Sequence, residues 1–140
     1  MRVAVIGAGG VGGAFGAALA QAGANVSFVA RGAHLAAMRR TGLRIEGGRG
    51  ETILHRVQAT DEPAMIGPVD FILFCVKLWD VELAGAQIRP LIGPTTAVIP
   101  LQNGIDAPER LIPILGQPAV MGGVAQITGE SLECLMRCAG

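Results

Sequence analysis

A short apolar run that leads straight into a glycine-rich turn opens this chain and most constrains its fold. The run spans residues 3–6, and Gly7, Gly9 and Gly12 follow in the spacing G-x-G-x-x-G. In a strand–turn–helix unit the first glycine permits the tight turn, the second lets a pyrophosphate approach the backbone, and the third lets the helix pack close to the strand. The next helix would direct its free N–H groups at the phosphates. The motif predicts a dinucleotide site formed by Gly7, Ala8, Gly9, Gly10, Val11 and Gly12.

The glycine motif is not specific by itself, because 21 of the 140 residues are glycine and chance matches are easier in such a chain. The segments that follow the motif supply the additional support. Periodicity and turn residues predict helices at residues 10–22, 33–40, 81–91 and 107–115, a hairpin of strands 43–46 and 52–57, and further strands at residues 25–30, 69–76, 96–101, 118–122 and 124–128. Such alternation predicts an α/β fold with a Rossmann-type, doubly wound, mostly parallel sheet in a single domain. We place this domain at residues 1–128 and treat residues 129–140 as an atypical C-terminal tail.

The composition is that of a globular domain. Hydrophobic residues make up 51% of the chain and charged residues 16%, and the formal net charge is zero. Without a run of Lys or Arg, the sequence shows no electrostatic signature of nucleic-acid or membrane-surface binding. The apolar stretches are too short for a membrane span or a signal peptide. Three cysteines, one of which (Cys75) falls in an apolar strand, favour a reducing compartment, so we expect a cytoplasmic protein.

Arg31 follows the second predicted strand, 19 residues after Gly12. In parallel α/β sheets the ligand binds beyond the carboxyl ends of the strands. An acidic residue at this point would bind the ribose 2′-hydroxyl of NAD or FAD, but residues 25–34 contain no Asp or Glu. An arginine can instead pair with the 2′-phosphate of NADP. We therefore predict NADP as the cofactor; the alternative is a solvated loop arginine.

Lys77 and Asn103 follow two further predicted strands. Both fall at the carboxyl edge of the sheet, where the nicotinamide and the substrate should lie. We predict that each contacts both the cofactor and the substrate. For Lys77 the alternative is an ordinary solvated lysine, and for Asn103 it is a simple Asn-Gly turn.

Five other chemically notable residues receive no functional assignment. For His34, which could touch the adenine or the phosphate, we favour a surface histidine at a helix N-terminus. Trp79 could cover the cofactor cleft or pack against the following helix. His55 has no visible acidic or cysteine partner. Cys134 and Cys138 are spaced to share a helix face, but two thiols without a nearby His or further Cys do not make a zinc site, so we expect no metal.

Together these features resemble the ketopantoate reductases, also called 2-dehydropantoate 2-reductases. The resemblance covers about residues 1–128. The glycine turn is common to many dehydrogenases, whereas its combination with the Val-Lys and Leu-Gln-Asn-Gly motifs is far more specific. The matching segments are Ile6-Gly-Ala-Gly-Gly-Val-Gly12, Val29-Ala-Arg-Gly32, Val76-Lys77 with Asp80, Leu101-Gln-Asn-Gly-Ile105 and Met121-Gly-Gly-Val-Ala125.

The resemblance implies a cofactor arrangement and a reaction. It implies that the glycine turn and Arg31 hold NADPH, with Lys77 and Asn103 at the nicotinamide and substrate end. The implied reaction is hydride transfer from NADPH to the C2 ketone of ketopantoate, a small 2-oxo acid, which gives pantoate for pantothenate and coenzyme A synthesis.

The C-terminal part departs from the family pattern. Family members continue into a helical second domain that supplies the general acid, while this sequence ends at Gly140 and its residues 129–140 do not look like the family's continuation. We therefore assign no catalytic residue and expect cofactor binding with little turnover. An apolar face that would meet the second domain also leads us to expect self-association as a homo-oligomer. Two alternatives stay open: a related reductase of another 2-oxo acid, and a nucleotide-sensing module without catalysis.

Overall fold

Residues 1–47 and 50–123 are described by the computed structural model of the protein. The predicted strand at residues 124–128, the tail at residues 129–140 and the cysteines Cys134 and Cys138 lie outside these described residues. In chain order the elements are β1 (Arg2–Ile6), α1 (Gly10–Gln21), β2 (Asn25–Val29), α2 (Gly32–Thr41), β3 (Leu43–Gly47), β4 (Gly50–Leu54), β5 (Gln58–Thr60), β6 (Phe71–Phe74), α3 (Val81–Gln87), β7 (Ala97–Pro100) and α4 (Ala107–Leu115).

A parallel five-stranded sheet organises the domain, with the strand order β5-β2-β1-β6-β7. In its centre Val5 of β1 is in register with Phe28 of β2 on one side and Leu73 of β6 on the other. The chain therefore winds outward from β1 in both directions, so the strand order reverses between β1 and β6. This arrangement confirms the predicted Rossmann-type, doubly wound α/β fold. The predicted hairpin is also present, as the antiparallel pair β3–β4 outside the main sheet.

Alternate side chains of β1 point to opposite faces of the sheet and join a separate hydrophobic cluster on each face. Val3 and Val5 are buried on the face covered by α1, α2 and the hairpin, whereas Ala4 and Ile6 are buried on the face covered by α3 and α4. Because both faces are covered, the central strands read as continuous apolar runs. On the second face, Arg110 of α4 donates from Nε and Nη2 to the Glu82 carboxylate of α3 at 2.6 and 2.7 Å.

The structure differs from the sequence-based prediction at several boundaries. The predicted strand 52–57 ends early, at Leu54, and the chain then forms the unpredicted edge strand β5, which pairs with β2. The predicted strand 69–76 is shortened to β6. The predicted helix 81–91 ends as α3 at Gln87 and gives way to a 3-10 turn at Arg89–Leu91, where Pro90 removes a backbone donor.

The predicted strand at residues 118–122 is wrong. Gln117–Ala119 forms a 3-10 turn, and the β-structure is limited to a single parallel bridge between Val120 and Val98 of β7. Pro118, in this turn, lacks the backbone N–H that a longer strand would require. Within the described part of the chain, no helix is both long and apolar enough to cross a membrane.

Candidate functional site

A cleft of about 590 Å³ opens at the carboxyl ends of β1, β2 and β6, beside the point where the strand order reverses. In doubly wound sheets this is the position at which ligands bind. Its described lining includes Gly7, Ala8, Gly9, Arg31, His34, Asp61, Val76, Asp80 and Leu83. The cleft thus joins the glycine turn to the end of the second strand, as the sequence predicts.

The glycine turn owes its shape to two close backbone approaches. Gly7 has a φ of +89°, a left-handed conformation that side chains disfavour, and a β-carbon there would stand 3.1 Å from the backbone of Cys75. At Gly12 a β-carbon would collide with the carbonyl oxygen of Gly7 and would come within 3.0–3.1 Å of Val5 and Cys75. These two glycines let α1 start directly against the sheet.

Gly9 has a different environment. It precedes α1 as the N-cap residue, its φ and ψ of −74° and −167° suit any amino acid, and a β-carbon there would have no other atom within 4 Å. Gly9 therefore leaves open space at the N-terminus of α1, where the first backbone N–H groups lack helical acceptors. This space is of the kind that a pyrophosphate group would need against a helix N-terminus, so the residues present fit a dinucleotide.

Arg31 is paired across the cleft with Asp80. Its Nη2 atom donates to Asp80 Oδ2 at 3.2 Å, although the two residues are 49 positions apart in the chain. Arg31 is the N-cap of α2, and Asp80 directly precedes α3. The Arg31 side chain remains 64% exposed, so its guanidinium is accessible to a ligand from solvent.

His34 lies near the N-terminus of a helix, as predicted, but it also contacts the glycine turn. It is half-buried in the first turn of α2, lines the cleft, and its Nε2 lies 3.0 Å from the carbonyl oxygen of Ala8 in the glycine turn. Because a carbonyl oxygen accepts but cannot donate, Nε2 carries the proton in this contact. His34 therefore connects α2 to the glycine turn, a link that sequence spacing cannot show.

Asp61 is a cleft residue that the sequence reasoning missed. It directly follows β5, the unpredicted strand, and lines the cleft on the β2 side. Its Oδ1 lies 3.9 Å from Nη2 of Arg39 on α2. Recognising the strand at residues 58–60 would have placed this carboxylate at the carboxyl edge of the sheet.

Lys77 and Asn103 lie at the carboxyl ends of β6 and β7, which are adjacent, parallel strands. Both residues are exposed, and neither belongs to the described lining of the cleft.

Trp79 is 78% exposed, so it does not pack against α3 as one of its two predicted alternatives required. His55, which has no predicted role, is exposed beyond the end of β4.

Gln102, beside Asn103, joins the ends of β6 and β7. Its side-chain Nε2 donates to the carbonyl oxygens of Phe74 and Val76 at 2.9 and 3.1 Å. The other amide atom, Oε1, is buried without a hydrogen-bond partner among the described residues. A smaller cavity of about 240 Å³ lies here, lined in part by Gln102, Gly104 and Gly123. The amide thus fixes the strand ends from which Lys77 and Asn103 project.

Cys75 lies behind the glycine turn. It is half-buried at the end of β6, where its backbone N–H donates to Ile6 at 2.8 Å and its backbone and Cβ face Gly7 and Gly12. Burial raises the pKa of this thiol to about 12. Cys75 is therefore a packing residue rather than a reactive thiol.

Across residues 1–47 and 50–123, no group of three or more His, Cys, Asp or Glu side chains is arranged to hold a metal ion.

Sequence comparison identifies the family. The model of the ketopantoate reductase family, described as "Ketopantoate reductase PanE/ApbA", matches residues 3–137. The chain belongs to this family. Among curated relatives, the 2-dehydropantoate 2-reductase of Mesorhizobium japonicum is 39% identical over 106 residues, which are 75% of this chain and 32% of that protein. The 2-dehydropantoate 2-reductase of Pyrococcus horikoshii is 32% identical over 89% of this chain and 39% of that protein. The family is thus one of oxidoreductases.

Solved structures show the same relationship. The crystal structure of 2-dehydropantoate 2-reductase from Porphyromonas gingivalis superposes with a TM-score of 0.79 at 43% identity, over 89% of this chain and 46% of that chain. A structure of D-mandelate dehydrogenase with NADH and anilino(oxo)acetate also reaches a TM-score of 0.79, at 25% identity over 89% of this chain and 40% of that one. This chain therefore spans about a third to a half of the length of these relatives.

Proposed function

We propose that this chain binds NADPH as the cofactor domain of a reductase that converts 2-dehydropantoate (ketopantoate) to pantoate. The observation that carries the cofactor assignment is Arg31 at the end of β2, exposed at the cleft, at the position where an NAD-binding domain commonly has an acidic residue. The family and the names of its relatives support the substrate. We also propose, from the same resemblance, a cytoplasmic location.

Different residues around the cleft would contact different parts of the cofactor. The glycine turn at Gly7–Gly12 and the N-terminus of α1 would receive the pyrophosphate through backbone N–H groups. Arg31 would pair with the 2′-phosphate of the adenosine ribose. Bound NADPH would supply a hydride for the C2 carbon of the ketone, and a proton added to the carbonyl oxygen would complete the alcohol.

Lys77 and Asn103 would act at the other end of the cofactor. Both lie at the carboxyl edge, on neighbouring strands whose ends are fixed by the Gln102 hydrogen bonds. An exposed ammonium at Lys77 suits the carboxylate of a 2-oxo acid, and the amide of Asn103 can donate and accept a hydrogen bond. We propose that these two side chains orient the nicotinamide and the substrate.

A second substrate class has one specific observation in its favour. The neighbour solved with NADH and anilino(oxo)acetate is a D-mandelate dehydrogenase, so a closely similar fold serves another substrate and another nicotinamide cofactor. A reductase of a different 2-oxo acid is therefore the second candidate. Rates of NADPH oxidation with ketopantoate and with other 2-oxo acids, measured on a full-length relative, separate the two.

The cofactor assignment is tested by titrating the purified 140-residue protein with NADPH, NADH and FAD in separate calorimetric experiments. We expect the tightest binding for NADPH, weaker binding for NADH and none for FAD. Binding of FAD alone, or of none of the three, would overturn the proposal.

A further inference from the structure

We propose that Asp80 tunes the preference between NADP and NAD by competing with the 2′-phosphate for Arg31. This inference rests on the proposed function, since it takes Arg31 as the phosphate-binding residue. Arg31 Nη2 and Asp80 Oδ2 form an ion pair at 3.2 Å. The guanidinium that would receive the phosphate already has a carboxylate partner within the cleft.

The two partners differ in exposure. The Arg31 side chain is 64% exposed and that of Asp80 27%, so Asp80 is the more enclosed of the pair. Asp80 is also the N-cap residue of α3, but its side chain makes no capping hydrogen bond there. The carboxylate is therefore directed to Arg31 rather than to its own helix.

The contact with Asp80 engages one of the nitrogen donors of the Arg31 guanidinium. A guanidinium recognises phosphate best through two parallel N–H donors, and the pair with Asp80 engages Nη2. A phosphate must either share the remaining donors or displace the carboxylate. Both routes lower the affinity for a ligand that carries a 2′-phosphate.

Electrostatic repulsion within the cleft would also lower the affinity for a ligand that carries a 2′-phosphate. Among the described residues that line the cleft, Arg31 contributes one positive charge, while Asp61 and Asp80 contribute two negative charges. A 2′-phosphate near Arg31 would therefore meet a carboxylate of the same sign. NAD has a hydroxyl at this position, and a hydroxyl can donate to a carboxylate. Asp80 thus opposes NADP selectively.

The test measures the dissociation constants of NADPH and NADH for the unchanged protein and for Asp80→Asn by calorimetry. Asn keeps the shape of Asp80 and removes its charge. We expect NADPH to bind roughly tenfold more tightly to Asp80→Asn, with NADH changed by less than about twofold. Equal changes for the two nucleotides, or a weaker affinity for NADPH, would overturn the proposal, because a merely structural role of Asp80 moves both affinities together.

Three further variants isolate the effect. Asp80→Glu keeps the charge and should keep the preference of the unchanged protein. Glu109→Gln removes one negative charge from the exposed surface of α4 and should change neither affinity. In an Arg31→Ala background, Asp80→Asn should change NADPH binding by less than about threefold. A full tenfold gain in that background would refute competition for Arg31.

The variants Arg31→Ala and Asp80→Asn separate the cofactor assignment from the competition for Arg31. If Arg31→Ala selectively weakens NADPH but Asp80→Asn leaves the NADPH affinity unchanged, the competition is wrong and the cofactor assignment stands. If the unchanged protein binds no NADPH, both are wrong. Circular dichroism and thermal unfolding of each variant establish that it is folded.

Discussion

Gly12 lies so close to Gly7 that a β-carbon on Gly12 would overlap the carbonyl oxygen of Gly7. This contact brings the first turn of α1 against the end of β1, with Val5 and Cys75 closing the space on the other sides. The third glycine of the motif thus has a packing role that does not depend on any ligand. Gly9, two residues after Gly7, faces open space instead.

Replacement of Gly12 should therefore damage the fold. In Gly12→Ala the new methyl group meets backbone that cannot move without shifting α1, and overpacking of this kind costs about 3 kcal/mol. We expect the free energy of unfolding, measured by urea denaturation, to fall by about that amount. An unchanged stability would show that α1 can move away from the sheet freely.

Replacement of Gly9 should instead affect the ligand. Gly9→Ala should leave the stability within about 0.5 kcal/mol of that of the unchanged protein, because its backbone conformation and surroundings accept a methyl group. Its methyl group would occupy space at the N-terminus of α1, so we expect NADPH affinity to fall by roughly tenfold or more, which is about 1.4 kcal/mol. An unchanged NADPH affinity in calorimetry would contradict this position for the pyrophosphate.

The half-buried thiol of Cys75 should make the protein less stable in alkali. Its pKa is raised from 9.0 to about 12 in the folded protein, so between these values the unfolded chain loses a proton that the folded chain retains. Stability must then fall as the pH rises above 9, by about 1 kcal/mol at pH 10. The measurement compares unfolding free energies at pH 8 and pH 10 for the unchanged protein and Cys75→Ala, in which the other titrating groups are the same. An identical pH dependence in both proteins would refute this contribution.

The sequence predicted most of the sheet because its signals are local. The apolar runs of β1 and β6 and the glycine turn between β1 and α1 can each be recognised within a few residues. Strand β5 could not be predicted in this way, since its three residues Gln58–Thr60 form no apolar run. It is held by pairing with β2 and by a hydrogen bond from Ser27 Oγ to Gln58 Oε1 at 3.1 Å, both of which depend on the folded chain.

The candidate site was also only partly predictable from local sequence signals. Arg31 was recognisable from its distance to Gly12 and from the lack of an acidic residue around it. Its pairing with Asp80 was not, because the partner is 49 residues away and meets Arg31 only when the parallel sheet brings their strand ends together. The contact of His34 with Ala8 has the same origin. Lys77 and Asn103 were predicted from their strand ends, and their roles stay predictions.

The proposed cofactor assignment depends most directly on the proposed contact of Arg31 with a 2′-phosphate. The decisive measurement is the ratio of the NADPH and NADH dissociation constants for the unchanged protein and for Arg31→Ala, with Arg40→Ala as a control that removes a positive charge from an exposed position on α2. A charge-assisted hydrogen bond contributes about 1.5–3 kcal/mol, so NADPH should bind to Arg31→Ala roughly 10- to 150-fold more weakly. NADH should change by less than about threefold, and Arg40→Ala should leave both unchanged. Equal losses for NADPH and NADH in Arg31→Ala would contradict the account.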